Sequence, residues 1–214
     1  MQEVALATVG DGSSPLLLGL LSDTHGLLDS ATLRALRAVA LHAIIHAGDV
    51  GDKSKKSRLS APDITTKRSL LWQETLIKDV QALLTGYFTY SSASKLPPYQ
   101  IVVVEGMKIL VLHICGFPPK ITPEAQRLID ATLPQIVIFG HSHMPGVQWH
   151  NNILYVNPGS AGPRRFKLPR CMALLYLHVS GKAEVRFISI GASPQNVEGL
   201  PQPDTMVVSK GFEV

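Results

Sequence analysis

Residues 134–146 read PQIVIFGHSHMPG, and this stretch determines how the rest of the chain is interpreted. Residues 136–138 are a short β-branched run typical of a buried strand, and the run leads directly into Gly140, His141 and His143. Two explanations are open: a surface loop that contains histidines incidentally, or a metal site at the end of a sheet strand. The other strand ends of the sequence distinguish between them.

Four apolar runs in the sequence each end at side chains that can bind a metal. In open α/β sheets, ligands collect beyond the carboxyl ends of the strands, so residues remote in sequence can converge there. A single histidine at a strand end is usually structural, but an ordered set of such residues is far more specific. The set is Asp23 and His25 in GLLSDTHG, Asp49 in IIHAGDVGD with Asp52 close behind, His113 in ILVLH, and His141 and His143 in FGHSH.

The order of predicted elements indicates an α/β domain with parallel strands early and hairpins late. A strand at residues 15–23, a helix capped by Asp29 or Ser30 and a strand at residues 43–49 form a βαβ unit. Hairpins are predicted to turn at residues 105–106, 151–152 and 180–182. A short helix is predicted after Thr122 as its N-cap.

Residues 52–100 differ in character from the rest of the chain. Residues 53–69 are polar and irregular, whereas residues 70–86 place apolar side chains at helical spacing and end at a glycine, which predicts a helix. Its apolar positions are Leu76, Ile77, Val80, Leu83 and Leu84. We interpret residues 16–190 as one domain with an atypical insert at about 52–100, and residues 1–15 and 191–214 as flexible tails.

The composition limits the classes of function. With 45% hydrophobic and 17% charged residues the chain is globular, and no apolar run is long enough to cross a membrane. Only 6% of residues are aromatic, which argues against a nucleic-acid binder except where a phosphodiester is the substrate. Cys115 and Cys171 form no disulfide framework, and the N-terminus lacks signal-peptide features, so we expect a cytoplasmic protein.

Five motifs taken together resemble those of a known family. They are SDTHG at 22–26, HAGDVGD at 46–52, VLH at 111–113, FGHSHMP at 139–145 and YVNPGSAGPRR at 155–165. In combination they resemble the calcineurin-like metallophosphoesterases, close to the small single-domain bacterial phosphodiesterases. The resemblance covers roughly residues 16–190 apart from the insert. It implies an αββα sandwich, with two mixed β-sheets face to face, helices outside and a dinuclear metal site above the strand ends.

The resemblance also implies roles for the site residues. Asp23, His25, Asp49 and His143 would hold a first divalent metal, and Asp49 would bridge to a second metal held by His113 and His141. Carboxylates with imidazoles suit borderline ions, so we expect Mn²⁺, with Zn²⁺, Fe²⁺, Ni²⁺ and Co²⁺ as alternatives. The substrate would be a phosphodiester or small phosphorylated compound attacked by an activated water. Asp49 is thus a predicted catalytic residue, and His25 or the surrounding solvent would assist the leaving group.

Two departures from the family pattern put the second metal site in doubt. The family has a Gly-Asn motif that supplies a ligand to the second metal, but this chain has no asparagine before Asn151. Asp52, Asp63 or Asp79 could substitute, the second site could be weak, or the insert could derive from an alternative or mistaken gene model. In addition, Ile-Cys-Gly follows His113 where the family usually has Gly-His. Reduced activity is therefore expected.

A second hypothesis is a catalytically impaired scaffold that acts in protein–protein interaction, as the retromer subunit of the same fold does. The retention of all the other metal-capable side chains favours the enzyme.

Arg164 and Arg165 could contact a phosphate bidentately, or could be solvated like most surface arginines. A homo-oligomer is left open.

Overall fold

The computed structural model describes residues 3–6, 14–50, 69–71, 76–77, 98–104, 106–165, 167–191 and 207–212. Within those ranges the chain forms thirteen strands and two helices. The strands are β1 Glu3–Leu6, β2 Leu16–Leu21, β3 Ala43–His46, β4 Ser69–Leu71, β5 Leu76–Ile77, β6 Tyr99–Val104, β7 Met107–Leu112, β8 Ile136–Ile138, β9 Gly146–His150, β10 Ile153–Asn157, β11 Cys171–Leu177, β12 Lys182–Ser189 and β13 Val207–Gly211; the helices are α1 Ser30–Arg37 and α2 Pro123–Thr132.

The strands form two mixed sheets. The first sheet has the order β1-β6-β7-β8-β10-β9, and the second sheet has the order β13-β12-β11-β2-β3-β4-β5. Parallel pairs include β2 with β3 and β7 with β8, so within each sheet the carboxyl ends of two site-bearing strands lie side by side. Neither described helix is long and apolar enough to cross a membrane.

The side chains of each strand alternate between two packing layers. Leu18 and Leu20 of β2 and Val102 of β6 belong to the core shared by the two sheets. Leu21 packs with α1 on the outer side of the second sheet, and Ile101 packs with α2 on the outer side of the first sheet. Strands covered on both faces require apolar residues at every position, which explains the continuous apolar runs. The predicted αββα sandwich is confirmed.

Several local predictions are also confirmed. Asp29 caps α1 by accepting a hydrogen bond from Thr32 N, and Thr122 caps α2 by accepting one from Ala125 N. The β9–β10 hairpin turns through Asn151 and Asn152, which have φ angles of 49° and 59°. Asparagine tolerates the left-handed region better than most residues, so these two positions suit a tight type I′ hairpin.

The helix predicted over residues 70–86 is wrong where the structure describes it. Leu76 and Ile77 form β5, which pairs antiparallel with β4, while β4 pairs parallel with β3. The edge of β3 offers unpaired backbone groups, and pairing with them outweighs the local helical spacing of a few apolar residues. Val80, Leu83 and Leu84 lie outside the described residues.

The terminal segments are not only tails, contrary to the prediction for residues 1–15 and 191–214. β1 pairs parallel with β6 at one edge of the first sheet, and β13 pairs antiparallel with β12 at one edge of the second sheet. The ring of Phe212, which follows β13, lies 4.8 Å from that of Trp149 on β9. Backbone pairing and this ring contact hold the C-terminal segment against both sheets.

Candidate metal centre

Loops from the second sheet supply Asp23, His25 and Asp49. Asp23 N donates to Gly48 O at 3.0 Å, and His25 N donates to Asp49 O at 2.9 Å. These hydrogen bonds continue the pairing of β2 with β3 beyond the ends of both strands. The two loops therefore form one platform, and the Asp-x-His and Gly-Asp motifs lie side by side on it.

Loops from the first sheet supply His113, His141 and His143. Gly140 N donates to His113 O at 3.0 Å, which joins the loop after β8 to the loop after β7. The backbone N–H of His141 donates to Asp23 Oδ2 at 3.0 Å, across the two sheets. All six predicted residues thus lie at one end of the sandwich, as expected where strand ends converge.

Positive φ angles of non-glycine residues are concentrated at this end of the described chain. Of the eight described non-glycine residues with a positive φ, five are predicted site residues. Such conformations persist only where surrounding contacts hold them, and they concentrate at functional sites. The five are Asp23 at 52°, His25 at 46°, Asp49 at 52°, His141 at 70° and His143 at 58°.

The carboxylate of Asp23 lies at the centre of the cluster and is fully buried. Its Oδ1 atom lies 3.3 Å from His143 Nε2 and 3.9 Å from His113 Nε2, yet it has no hydrogen-bond partner among the residues that the structure describes. A buried carboxylate oxygen without a partner is strongly unfavourable unless a cation neutralises it. Asp23 Oδ1 is therefore placed to bind a metal ion.

One candidate metal-binding group consists of Asp23, His25 and His143, whose ligand atoms all lie within 4.8 Å of one another. The Nε2 atoms of His25 and His143 are 3.1 Å apart, and the two rings are stacked with a centroid distance of 5.1 Å. Burial, more than any other cause, lowers the pKa of His143, while Asp23 acts in the opposite direction. A neutral imidazole is the form that binds a metal.

A second group consists of Asp23, Asp49 and His113, again within 4.8 Å. His113 Nδ1 lies 2.8 Å from the carbonyl oxygen of Ala47, and since a carbonyl only accepts, Nδ1 carries the proton. His113 Nε2 lies 3.5 Å from Asp49 Oδ2 and forms no hydrogen bond with a described residue. Since Nδ1 is held by the carbonyl, Nε2 is the ring atom that is left to bind a metal.

Asp49 and His141 are placed differently from the other predicted ligands. Asp49 Oδ2 lies 3.8 Å from His25 Nε2 as well as 3.5 Å from His113 Nε2, so this oxygen adjoins both groups. The side chain of His141 is exposed and belongs to neither group, although its ring lies 5.4 Å from the His113 ring. The structure thus brings five of the six residues into compact groups and places the sixth beside them.

Two glycines make this close packing possible. Gly48 has a φ of +96°, and a Cβ atom there would overlap the His113 ring, with Cγ at 2.6 Å. A Cβ atom on Gly140 would overlap Ser22 and lie 2.7 Å from Asp23 Oδ2. Both positions therefore require the absence of a side chain.

Sequence reasoning did not identify several residues that hold the loops in place. Thr24 Oγ1 donates a hydrogen bond to Val50 O at 3.0 Å. Because a hydroxyl has only one proton, the second contact of this oxygen, with His46 Nε2 at 3.0 Å, must be donated by the histidine. Burial lowers the pKa of His46 to about 3, with smaller effects of His113 and His25. His46 occurs within the HAGDVGD motif, but nothing in its spacing separates a supporting histidine from a ligand.

The NPGS motif also supports the site. Asn157 Nδ2 donates to Gly140 O at 2.8 Å, and Ser160 Oγ donates to Asp23 O at 3.0 Å. These contacts hold the backbone on both sides of the Asp23 carboxylate. They agree with a structural role for this motif.

The donor set of the centre fits a divalent metal of borderline softness. It combines carboxylate oxygens with imidazole nitrogens, and it contains no thiolate: Cys115 and Cys171 are buried elsewhere. Such a set suits Mn²⁺, Zn²⁺ and their neighbours better than Ca²⁺. Asp23 Oδ1 and His113 Nε2, two of the buried atoms at this centre that have no hydrogen-bond partner among the described residues, are positions at which such an ion would be bound.

Comparison with known proteins gives matches over most of the chain. Residues 16–180 match the family model of the calcineurin-like phosphoesterase superfamily domain. A protein named a probable metallophosphoesterase, from Methanothermobacter thermautotrophicus, is 26% identical over 83% of this chain and 94% of its own length.

Solved structures with a similar fold include proteins of two kinds. Vacuolar Protein Sorting 29 from Cryptosporidium parvum has a TM-score of 0.60 at 20% identity, over 94% of this chain and 100% of that one. A novel archaeal phosphodiesterase has a TM-score of 0.54 at 17% identity, over 81% of this chain and 99% of that one.

Proposed function

The chain belongs to the calcineurin-like phosphoesterase superfamily, and from this membership we propose that it is a metal-dependent phosphoesterase that hydrolyses phosphodiesters or small phosphorylated compounds. The observation that carries the proposal is the buried Asp23 Oδ1, which faces His143 Nε2 and His113 Nε2 and has no hydrogen-bond partner within the described ranges. A purely structural carboxylate would be hydrogen-bonded at this depth. An archaeal phosphodiesterase with the same fold supports the class of substrate.

We assign the ligands as follows. Asp23, His25, Asp49 and His143 would hold one ion, and Asp49 would reach a second ion held by His113 and His141. The position of Asp49 Oδ2 between His25 and His113 supports a bridging role. His141 is exposed beside His113, so it is free to turn its ring toward an ion there.

A pair of divalent ions, when bound, would polarise the phosphoryl oxygens and lower the pKa of an attacking water. The protein's own groups would then hold the site in its reactive arrangement. Ala47 O fixes the His113 tautomer, and His46 with Thr24 fixes the loop between Asp23 and His25. His25 is less buried than His143, and a partly exposed imidazole can deliver a proton to a leaving oxygen.

We propose Mn²⁺ as the resident metal and a lower activity than a complete dinuclear site would give. The reason for the lower activity is the missing Gly-Asn motif, since an asparagine ligand to the second ion is absent from the sequence before Asn151. The cytoplasmic location and a homo-oligomeric state remain predictions. The domain limits of 16–190 remain a prediction too.

A scaffold function is the second candidate, and a specific observation favours it. Ile114 and Met144 directly follow His113 and His143, and they are 50% and 46% exposed. Apolar side chains at the mouth of a metal site can contact a protein partner. The fold of Vacuolar Protein Sorting 29 is similar to that of this chain.

The test is metal content followed by turnover. Protein purified without added metal is analysed for bound metal, and bis-p-nitrophenyl phosphate hydrolysis is measured as Mn²⁺ is titrated in. We expect metal-dependent turnover that falls by about 100-fold or more in an Asp49→Ala variant. Asp130→Ala, which removes an exposed carboxylate from α2, is the matched control and should leave turnover unchanged. No turnover at saturating Mn²⁺ would overturn the enzyme and favour the scaffold.

A further inference from the structure

The ligand assignment given above leaves the second ion short of protein ligands. Asp49 would be shared with the first ion, so that only His113 and His141 would belong to the second ion alone. The asparagine of the family is missing, since the chain has none before Asn151, and the side chain of His141 is exposed. Sites for such ions generally use three or more protein ligands. One more donor is therefore needed beside Asp49 and His113.

The Asp23 carboxylate is held in one orientation. Its Oδ2 atom accepts a hydrogen bond from His141 N at 3.0 Å, and a Cβ atom on Gly140 would lie only 2.7 Å from the same oxygen. The backbone of Asp23 is also fixed on both sides, because its N–H donates to Gly48 O and its carbonyl accepts from Ser160 Oγ, each at 3.0 Å. Oδ1 is therefore the oxygen that Asp23 offers to a metal.

Asp23 Oδ1 faces both groups of the metal centre. It lies 3.3 Å from His143 Nε2, which belongs to the first group, and 3.9 Å from His113 Nε2, which belongs to the second group. Two donors that bind one ion at about 2.0–2.2 Å are roughly 3–4 Å apart, so each histidine lies at the spacing of a second ligand to the same ion. A carboxylate oxygen has two lone pairs, and Oδ1 can serve an ion on each side.

The two carboxylates of the second group differ in burial. The side chain of Asp49 is 48% exposed, whereas that of Asp23 is fully buried. Water screens the charge of an exposed carboxylate, so the buried Asp23 should contribute more to the attraction for a second ion. Asp23 is therefore the stronger of the two candidates for holding that ion beside His113.

We propose that Asp23 Oδ1 is shared by both ions and takes the place of the missing asparagine in the second group. The first ion would be held by Asp23, His25, Asp49 and His143, and the second ion by Asp23, Asp49 and His113. This inference rests on the two-ion centre of the proposed function, and it makes Asp23 a ligand of two ions instead of one. Because a shared oxygen gives each ion less than an unshared ligand would, the inference agrees with the lower activity proposed above.

A variant in which only the second group is left tests this assignment. His25→Ala/His143→Ala removes both imidazoles of the first group and leaves Asp23, Asp49 and His113. Mn²⁺ binding is measured by calorimetry, and metal content is measured after dialysis. We expect this background variant to bind about one ion per chain. Asp23→Asn added to it should weaken the binding of that ion by about tenfold or more, because even the loss of an outer partner of a ligand costs about 10–100-fold in metal affinity.

Two further variants complete the design. Asp29→Asn is the control for charge, because Asp29 is a partly buried carboxylate between the Asp-x-His motif and α1, and in the same background it should change the Mn²⁺ affinity by less than about twofold. His25→Gln/His143→Gln keeps the size of both side chains and replaces the alanine pair if that pair does not fold. In the otherwise unchanged chain, Asp23→Asn should lose both ions, whereas His113→Ala should lose only the second.

Three results would overturn the proposal. The first is an Asp23→Asn variant that still binds about one ion per chain as tightly as the wild type binds its first. The second is a folded background variant that binds no ion, since the second group would then not be a site. The third is an Asp29→Asn change that weakens Mn²⁺ binding as much as Asp23→Asn does.

These measurements do not depend on turnover. A chain that binds two ions through Asp23 but hydrolyses no ester would overturn the proposed enzyme and leave this assignment intact. A chain that hydrolyses esters while Asp23 serves a single ion would leave the enzyme intact and remove the assignment.

Discussion

The guanidinium of Arg170 donates to the carboxylate of Asp29 at 2.8 Å, and this ion pair ties the loop of residues 158–170 to the first turn of α1. Asp29 is also the N-cap of α1. Burial raises the pKa of Asp29. The hydrogen bonds from Arg170 and Thr32 together have a larger effect, and they lower this pKa to about 2. The folded protein therefore favours the ionised carboxylate.

The first prediction concerns the pH dependence of this pair. The pKa of Asp29 is lowered on folding, so its stabilisation is complete above about pH 4 and is lost as the pH falls through about 2. Asp29→Asn keeps an oxygen that can cap α1 but removes the charge. We expect a loss of about 0.5–1 kcal/mol at neutral pH, and a smaller difference from the wild type below pH 4. Urea midpoints between pH 6 and pH 2.5 measure it.

The control for this prediction is Asp130→Asn, because Asp130 is exposed and accepts a hydrogen bond from Gln126 rather than from a cation. A difference between Asp29→Asn and the wild type that does not change with pH would show that the charge of Asp29 contributes nothing.

The second prediction concerns Gly48, which has a φ of +96° and contacts the His113 ring. Gly181 has a φ of +75°, and a Cβ atom there would meet nothing within 4 Å, so it is a matched control. Both alanine variants lose the left-handed preference of glycine, at about 1–2 kcal/mol. Gly48→Ala should lose a further 1–3 kcal/mol or so by overpacking, and it should displace His113.

Thermal midpoints and Mn²⁺ calorimetry measure both effects. We expect Gly181→Ala to bind Mn²⁺ like the wild type and Gly48→Ala to bind it more weakly. Equal stability and equal Mn²⁺ affinity of the two variants would contradict the assigned contact between Gly48 and His113.

The sequence could predict that the site residues lie close together, because the pattern that indicates this is local to each residue. Each of Asp23, Asp49, His113 and His141 follows a continuous apolar run, and parallel buried strands bring their carboxyl ends together. The same runs indicate that both faces of these strands are covered, whereas the arrangement as an αββα sandwich is implied only by the resemblance of the motifs to the family.

The remaining features could not be predicted because they depend on partners far away in the sequence. β1 is four residues long and pairs with β6, and no pattern within Glu3–Leu6 identifies that partner. Leu76 and Ile77 carry a local helical signal, but the open edge of a sheet determines their structure. Arg170 looks like any surface arginine until the fold places Asp29 and Gly162 around it.

The third prediction concerns the charge of Asp23. Its buried Oδ1 has no hydrogen-bond partner in the described part of the chain. In an Asp23→Asn variant, an amide N–H can donate to the Nε2 lone pairs of His143 or His113. We therefore expect the metal-free variant to be at least as stable as the wild type, and to lose the stabilisation by Mn²⁺. That stabilisation is about 2.7 kcal/mol at a metal concentration of 100 times Kd.

Thermal unfolding in EDTA and in a Mn²⁺ series measures both parts of this prediction. Asp130→Asn again serves as the control and should respond to Mn²⁺ like the wild type. A stabilisation by Mn²⁺ that survives in Asp23→Asn would place the metal elsewhere.

The last prediction concerns the ring contact between Trp149 and Phe212, which lie 4.8 Å apart at an interplanar angle of 61°. β9 is the last strand of the first sheet and β13 is an edge strand of the second, so this contact joins the two sheets at one side of the sandwich. Phe212→Ala should lower the free energy of unfolding by about 1–3 kcal/mol and leave Mn²⁺ binding unchanged. A double-mutant cycle with Trp149→Ala should give a coupling of about 0.5–1.5 kcal/mol.

Val179→Ala is the control, because Val179 is 64% exposed in the β11–β12 turn and its truncation should change stability by less than about 0.5 kcal/mol. A coupling near zero would mean that the C-terminal strand does not rest against β9 in solution. The two sheets would then have to be held together at this side by the core between them, while β13 would keep only its backbone pairing with β12.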